Sequence, residues 1–379
     1  MLAASVDISK AFNRIDHTLV IEDLYDMNTP AWLLNIVIAY LSNRSMFLTF
    51  NGSQSSQKEL PGGGPQGAYL GGLIFIIKYN GAFLRPPVPR PILGPLANSK
   101  SEKVKFVDDG SVAVSVDLKE CLVPNQNEKA RPLNYHERTE HVLPPANNLL
   151  QYYIHDTEKF VSENKMIINK KKTKIITFNK SKKWDFPPEV KFTDGTHIEY
   201  VPDMKLVGVI LSEDLSWFKN TQYICDKARQ KLWILRRMIK LNLDTNTMFD
   251  VYIKEVRSIL ELAVPVWHSG LTRRQSANIE RVQKVAFRVI LGEDYRNYNQ
   301  ACEMLSAETL EHRREKLCLK FARKNLCSQN SFFTKVQYKI NTRSRAKLVR
   351  TYKCRTNRFQ NSSLPYLTRL LNEDFKTKK

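Results

Sequence analysis

The sequence lacks both a long apolar run and a paired-cysteine motif. Its most apolar stretch, GGLIFIIKY from Gly71, is far shorter than the roughly 20 residues that a membrane span needs. The six cysteines are scattered without a CxxC pair, which argues against a disulfide framework and a zinc ribbon. The opening residues, MLAASVDISK, have no apolar core of the secretory type. We therefore expect reduced thiols, an intracellular location and no membrane partner.

Acidic residues are also scarce. The chain has 38 Asp and Glu against 59 Lys and Arg, which gives a net charge of +21 at pH 7. A field of that sign attracts polyanions, and nucleic acid is the partner that it favours. The hydrophobic content of 42% and the charged content of 26% are typical of a folded globular chain. With 379 residues, the chain is long enough for two or three domains.

The first 215 residues mix strand and helix patterns. Apolar alternation, Pro and Gly positions and turn dipeptides predict most of these elements. In chain order they are a strand over 3–8, helices over 18–27 and 30–44, a hairpin about Asn51-Gly52, a Gly-Pro loop at 61–67, a helix over 69–83, a rigid linker at 86–95, a second hairpin about Asp109-Gly110, a loop over 120–146, a helix over 147–163 and a third hairpin over 165–178.

From about residue 219 the apolar period becomes helical. Ile224, Ala228, Leu232 and Leu235 share one face of a basic helix. Thr272 and Gln275 form the pattern of a capping box, which predicts a helix that ends at Gly292. Another helix is expected over 307–326, and the last fifty residues resemble a basic tail that orders on binding. The organisation predicted is an α+β half and then a helical, basic half.

Two adjacent aspartates interrupt the apolar alternation of KVKFVDDGSVAVSV, residues 103–116. Asp109-Gly110 is ordinary turn chemistry, but a turn explains only one of the two carboxylates. Side by side, two such charges repel each other by about 4 kcal/mol at 4 Å and an effective dielectric constant near 20. A divalent cation would offset that repulsion. From this stretch alone, the two aspartates could be ordinary turn residues or ligands of a metal ion.

A third carboxylate favours the metal site over the turn. Asp7 ends the short apolar strand of SVDISKAFNRIDH, so its side chain can project into a cleft, as those of Asp108 and Asp109 can at their turn. Carboxylates that hold two hard cations about 3.5–4 Å apart are the apparatus of two-metal phosphoryl transfer. Oxygen ligands that share substrate phosphates suit Mg²⁺.

Five motifs in order make the sequence resemble a reverse transcriptase. SVDISKAFNRIDH, LPGGGPQGAYLGGLIF, KFVDDGSV, INKKKTKIITF and MKLVGVILSEDLSW match motifs A to E of that family, in the style of the non-long-terminal-repeat (LINE-type) retrotransposon enzymes. The resemblance covers about residues 3–217. LELAVPVWHSGLT and QSANIERVQKVAFRVILG resemble the region that follows the polymerase domain in animal elements of this type.

The resemblance implies a role for each matching residue. Asp7 and Asp108 would be the principal metal ligands, supported by Asp109, and the cofactor would be two Mg²⁺ ions, with Mn²⁺ as the alternative. Phe12 matches the aromatic gate that excludes a 2′-hydroxyl, although an isolated Phe is more often a core residue. The other matches are Gly64, Gln66 and Gly67 at the nucleotide, Lys172 (or Lys171, one register away) as proton donor to pyrophosphate, and Leu206, Val207 and Gly208 at the primer.

The fold class implied is α+β, with a right-hand polymerase palm built on an antiparallel sheet. Residues 1–215 would form the palm with partial fingers, 216–300 a helical thumb and 301–379 a basic helical extension. RNA template, DNA primer and dNTPs are the expected partners, and a ribonucleoprotein in nucleus and cytoplasm is the expected setting. Asn13 and Ala68 are mild departures from the family pattern, and motif A begins almost at Met1, which suggests an N-terminally truncated chain. The alternative is an inactive fragment that only binds RNA or DNA.

Overall fold

The chain folds into two compact units, Met1–Val207 and Gly208–Lys379. The computed structural model describes residues 2–64, 69–80, 100–106, 109–115, 143–178, 189–328, 331–334 and 348–377. The first unit combines small sheets with helices, and the second is mostly helical. A mixed α+β fold is therefore confirmed, whereas the domain boundaries expected near 215 and 300 stay predictions.

The first unit holds ten of the strands described. We number the elements of both units in chain order. The unit contains β1 Leu2–Asp7, a 3₁₀ turn Ala11–Arg14, α1 His17–Asp26, α2 Ala31–Leu41, β2 Ser45–Met46, β3 Thr49–Phe50, β4 Ser53–Gln54, β5 Lys58–Glu59, α3 Tyr69–Asn80, β6 Lys100–Phe106, β7 Asp109–Ser115, α4 Leu143–Glu163, β8 Lys174–Thr177, β9 Glu199–Tyr200 and β10 Asp203–Leu206.

The main sheet has five strands in the order β6–β7–β1–β8–β9, with β1 in the centre. Strand β1 pairs antiparallel with both β7 and β8. Along β1 and just after it, Ala4, Val6 and Ile8 are no more than 2% exposed, as expected of the period-two face that packs on a core. Helix α4 packs against β1 and β7. Asp7 follows Val6 in this alternation, so it lies on the opposite face of the strand, and it is partly exposed.

Two of the three predicted hairpins are present, one of them with its turn at a different place. The turn at Asn51-Gly52 is confirmed, because both residues have positive φ, 46° and 79°, and join paired strands β3 and β4. The second hairpin is confirmed, because β6 pairs antiparallel with β7, but its turn is not at Asp109-Gly110: both residues lie inside β7, opposite Phe106 and Lys105. Long-range pairing with β1 draws Gly110 into the sheet.

The hairpin predicted over 165–178 is wrong. Strand β8, residues 174–177, pairs with β1 and runs parallel to β9. The first arm contributes a single bridge, between Ile168 and Ile8. Both arms thus pair with the β1 segment.

The second unit is a helical assembly. It contains β11 Val209–Ser212, α5 Phe218–Lys240, α6 Thr245–Val251, a π-helical segment Tyr252–Arg257, α7 Ser258–Leu260, α8 Val264–Trp267, a 3₁₀ turn His268–Gly270, α9 Arg273–Leu291, a 3₁₀ turn Gly292–Asp294, α10 Tyr298–Met304, α11 Leu310–Leu326, α12 Asn357–Gln360 and α13 Ser363–Thr377.

The apolar faces predicted for this unit are confirmed. The four α5 residues named above are no more than 2% exposed. The capping box is present: Gln275 N donates to Thr272 Oγ1 at 3.2 Å and Thr272 N donates to Gln275 Oε1 at 2.7 Å. The helix that it begins, α9, ends at Gly292, as predicted. Trp267 lies in the centre of the unit with no exposed surface.

The C-terminal residues are folded, so the expectation of a tail that orders only on binding is wrong for 348–377. Helix α13 buries Leu367 and Leu371, which are 0% and 1% exposed. The Asn372 side chain accepts a hydrogen bond from Val349 N at 3.0 Å and donates one to Val349 O at 3.1 Å. No helix in the described ranges combines the length and the apolar content that a membrane crossing requires.

Candidate active site

The sheet brings the first aspartate to the acidic doublet. Asp7 ends β1 and stands directly opposite Asp109, the first residue of β7. Directly opposed residues of antiparallel strands have Cα atoms about 4.5–5.5 Å apart. A separation of about one hundred residues in the sequence thus becomes a neighbouring position in the sheet. Of Asp109 only the backbone is described, and Asp108 lies outside the described residues.

A lysine contacts the Asp7 carboxylate. Lys172 Nζ lies 3.6 Å from Asp7 Oδ2, and the two side chains are 69% and 21% exposed. The loop that carries the lysine is tied to the same strand end, because Asn169 N donates to Asp7 O at 2.7 Å. Asn169 also caps the loop, since its side-chain oxygen accepts from Lys172 N at 3.3 Å. This arrangement places Lys172 at the aspartate.

The donor chemistry at this place fits a divalent cation. Carboxylate oxygens are the ligands that Mg²⁺ and Mn²⁺ prefer. Among the side chains that the structure describes, no group of three or more His, Cys, Asp or Glu could hold a metal ion. Two of the three carboxylates predicted to do so are outside that set, since it lacks Asp108 and the side chain of Asp109.

Phe12 sits next to the Asp7 strand end, in the 3₁₀ turn that follows. Its ring stacks on Phe75 with a centroid separation of 4.3 Å and an angle of 19°. Phe75 in turn stacks on Tyr79 at 5.5 Å. Phe12 is partly exposed while Phe75 is 1% exposed. The ring is therefore anchored to the core on one side, so the core interpretation and the gate interpretation are compatible.

The glycine loop packs closely against the turn that carries Phe12. Gly64 N donates to Phe12 O at 2.7 Å, and Gly63 N donates to Ile15 O at 2.8 Å. Gly63 has φ +93°, and a Cβ there would lie 3.3 Å from Asn13 backbone atoms. A side chain would therefore meet both backbone strain and a close contact. Gln66 and Gly67, the other predicted residues of this loop, lie outside the described residues.

Leu206 and Gly208 belong to a tight connection between β10 and β11. Leu206 is the last residue of β10, and β11 begins at Val209. The two residues between them, Val207 and Gly208, have φ values of 46° and 83°. Positive φ at both central residues is the geometry of a type I′ hairpin turn. Val207 is 43% exposed, so part of this turn is accessible.

Three further residues position the loops of the first unit, and sequence reasoning missed them. His17 Nε2 forms a hydrogen bond with Gly63 O at 2.9 Å and thereby holds the glycine loop. Lys165 Nζ donates to Asp16 Oδ2 at 2.6 Å, and this hydrogen bond lowers the pKa of the Asp16 carboxyl. His17 and Asp16 both lie in the RIDH end of the first motif. The sequence shows these two residues but not their hydrogen-bond partners.

The reverse transcriptase model, described as "Reverse transcriptase (RNA-dependent DNA polymerase)", matches residues 2–211. This is more than half of the chain and includes every site residue named above. The chain belongs to the reverse transcriptase family. The predicted resemblance is thus confirmed, and a retrotransposon relative supports it too.

That relative is a Drosophila melanogaster protein described as a probable RNA-directed DNA polymerase from transposon X-element. It is 24% identical over 326 residues, which cover 83% of this chain and 30% of the relative. This reverse-transcriptase chain therefore spans less than a third of the relative's length. A solved structure of telomerase from Candida albicans, in complex with a TWJ fragment of telomeric RNA, is 12% identical and covers 86% of this chain and 49% of that one. Its TM-score is 0.31.

Proposed function

We propose that this chain is the polymerase part of a retroelement protein and extends a primer with dNTPs on an RNA template. The observation that carries the proposal is the pairing of Asp7 with Asp109 at adjacent strand ends, within a chain of the reverse transcriptase family. The net charge of +21 supports template and primer as partners, because phosphate neutralisation dominates such binding.

Asp7, Asp108 and Asp109 are the residues that would hold two divalent ions, with Mg²⁺ as the first candidate and Mn²⁺ as the alternative. When bound, such ions supply charge neutralisation at the triphosphate and lower the pKa of the primer 3′-hydroxyl. The protein's contribution is to fix the carboxylates on a rigid sheet. Asp7 fits this task because its strand is the central one and its backbone oxygen is also held, by Asn169.

Lys172 is the proposed proton donor to the leaving pyrophosphate. Its ammonium group lies 3.6 Å from the Asp7 carboxylate, so it is already near the reacting phosphates in this scheme. The capped loop at Asn169 keeps it there. This contact favours Lys172 over Lys171, the alternative register, because the described contacts of Asp7 include Lys172 and not Lys171.

The remaining residues would position nucleotide and primer. Gly64, Gln66 and Gly67 offer backbone that can approach the incoming dNTP without a side-chain obstruction. Leu206 and Gly208 would present the turn between β10 and β11 to the primer end. In this scheme residues 1–215 form the palm with part of the fingers, 216–300 a thumb and 301–379 a basic extension. A ribonucleoprotein in nucleus and cytoplasm is the setting that we propose.

A primer-extension assay on an RNA template tests the proposal directly. The full chain, supplied with Mg²⁺ and dNTPs, is expected to lengthen a labelled DNA primer, and a chelator is expected to stop the reaction. The competing function is a fragment that only binds nucleic acid. Tight, salt-sensitive RNA binding without extension, in Mg²⁺ and in Mn²⁺, would support that binder and contradict the polymerase.

The gate role of Phe12 predicts a change in sugar selection. In Phe12→Ala, we expect the preference for dNTP over the matching ribonucleotide to fall by about 100-fold, the scale of a few kcal/mol of steric discrimination. The measurement is single-nucleotide incorporation of both substrates. Phe75→Leu is the matched control, since it disturbs the same ring stack from the core side. Equal loss of selectivity in both variants would assign Phe12 to the core alone.

A further inference from the structure

The positive charge of the chain is concentrated near its C-terminus. Between Glu315 and Glu373 there are 57 residues with 14 Lys and Arg and no Asp or Glu. This stretch therefore supplies +14 of the net charge of +21, although it is less than a sixth of the length. The first unit's candidate site lies in another part of the chain and does not account for this charge.

One described piece of the stretch is exposed and contains two aromatic side chains. We call residues 350–360 the basic segment. Tyr352 and Phe359 are 41% and 43% exposed, and their rings meet edge to face at 6.2 Å. Lys353, Arg355 and Arg358 are exposed as well. Among the described residues, none of these three cations has a carboxylate partner, so their charge is available to a ligand.

Both ends of the basic segment are fixed to the folded unit. Before it, Val349 is fully buried and is held by the two Asn372 hydrogen bonds. After it, Arg369 Nη1 donates to Gln360 O at 2.6 Å. Within it, Phe359 N donates to Thr356 Oγ1 at 3.2 Å. Both ends of the segment are thus anchored before any ligand arrives, which lowers the ordering cost of binding.

We propose that the basic segment is a binding surface for single-stranded RNA, separate from the polymerase site. Exposed aromatic rings give unpaired bases a stacking surface, and nearby Lys and Arg neutralise the phosphates, which is the combination that single-strand binding uses. A duplex hides the faces of its bases, so the two rings favour single strands. The choice of RNA over DNA rests on the proposed function, in which an RNA template is the strand to be held.

The aromatic pair is tested with a double variant, Tyr352→Ala with Phe359→Ala. Binding of the full chain to a single-stranded RNA oligonucleotide is measured in a chelator, so that polymerisation plays no part. We expect binding to weaken at least about 30-fold, because stacking is worth about 1–3 kcal/mol per base and the variant removes two rings. Binding to a duplex of the same sequence should change less than twofold. Phe321→Ala, which truncates an exposed aromatic on α11, is the control and should leave both affinities unchanged.

The charges are tested with Lys353→Ala plus Arg355→Ala. Loss of two phosphate contacts is expected to reduce the slope of log affinity against log salt by about 1.4 for single strands. Arg273→Ala plus Arg274→Ala removes two exposed charges from the same unit and should leave the slope unchanged. Thermal unfolding followed by circular dichroism checks that all variants are folded.

Several results would overturn the inference. These are unchanged RNA affinity in the aromatic variant, an equal loss for duplex and single strand, tighter binding to single-stranded DNA than to RNA, and binding of anionic vesicles or an acidic peptide instead of RNA. The outcome is separable from that of the proposed function. If the chain does not extend primers but its RNA binding depends on the two rings, only the polymerase proposal is contradicted. If it extends primers normally and its RNA binding does not depend on the rings, only the RNA-binding surface is contradicted.

Discussion

Asp7→Asn is expected to reduce the rate of primer extension by at least about 10³-fold. A metal ligand contributes several kcal/mol to transition-state stabilisation, and each 1.36 kcal/mol changes the rate about tenfold. The substitution keeps the shape of the side chain and removes its charge. Asp7 stands opposite Asp109 in the sheet, so in our scheme its loss leaves the ions with too little negative charge. Single-turnover extension on an RNA template is the measurement.

The fold is expected to survive this substitution. Within the part of the chain that the structure describes, Asp7 forms an ion pair with Lys172, whose side chain is 69% exposed, and such pairs contribute about 0–1 kcal/mol. Asp26→Asn, at an exposed carboxylate that ends α1, is the matched control and should extend primers at the parental rate. If Asp7→Asn retained more than about a tenth of the activity while remaining folded, Asp7 would not be a metal ligand.

Trp267→Ala is expected to destabilise the second unit by about 4–5 kcal/mol. Truncation of a buried Trp costs about 3–5 kcal/mol, and Trp267 has no exposed surface. Its Nε1 also donates to Leu262 O at 2.8 Å, so the variant loses a hydrogen bond worth about 1 kcal/mol. A domain is typically stable by about 5–15 kcal/mol, so this variant is close to unfolding. Urea denaturation followed by far-UV circular dichroism measures the change.

Trp233→Ala provides the comparison within the same unit. Trp233 is 61% exposed on α5, and exposed substitutions usually change stability by no more than about 0.5 kcal/mol. The two variants remove the same atoms from different surroundings. A similar loss of stability in both would show that Trp267 does not fill the core of the unit, in contradiction to its burial here.

Local signals in the sequence predicted the elements whose stability is local. The capping box of Thr272 and Gln275 and the Asn51-Gly52 turn each depend on residues within a few positions, and both are present. The apolar face of α5 follows from the helical period alone. The order of the five motifs along the chain was also enough to predict the family, because that order can be seen in the sequence without a structure.

The sequence-based predictions were wrong where pairing with a strand distant in the sequence decides the structure of a residue. Gly110 favours a turn locally, yet its pairing with Val6 and Lys105 holds it in β7. The pattern over 165–178 suits a hairpin, but β8 pairs with the central strand. The proximity of Lys172 to Asp7 likewise depends on β1, 165 positions earlier. The bounds of α13 and the burial of its Leu367 and Leu371 were not predicted.

The most direct test of the account is a crystal structure of the chain grown with Mn²⁺ and a dNTP, with the metal located by anomalous scattering. We predict manganese in contact with the carboxylates of both Asp7 and Asp108. Manganese absent from Asp7, or carboxylate oxygens of these two residues more than about 8 Å apart, would contradict it, because two ions at the spacing of such sites could not then be shared.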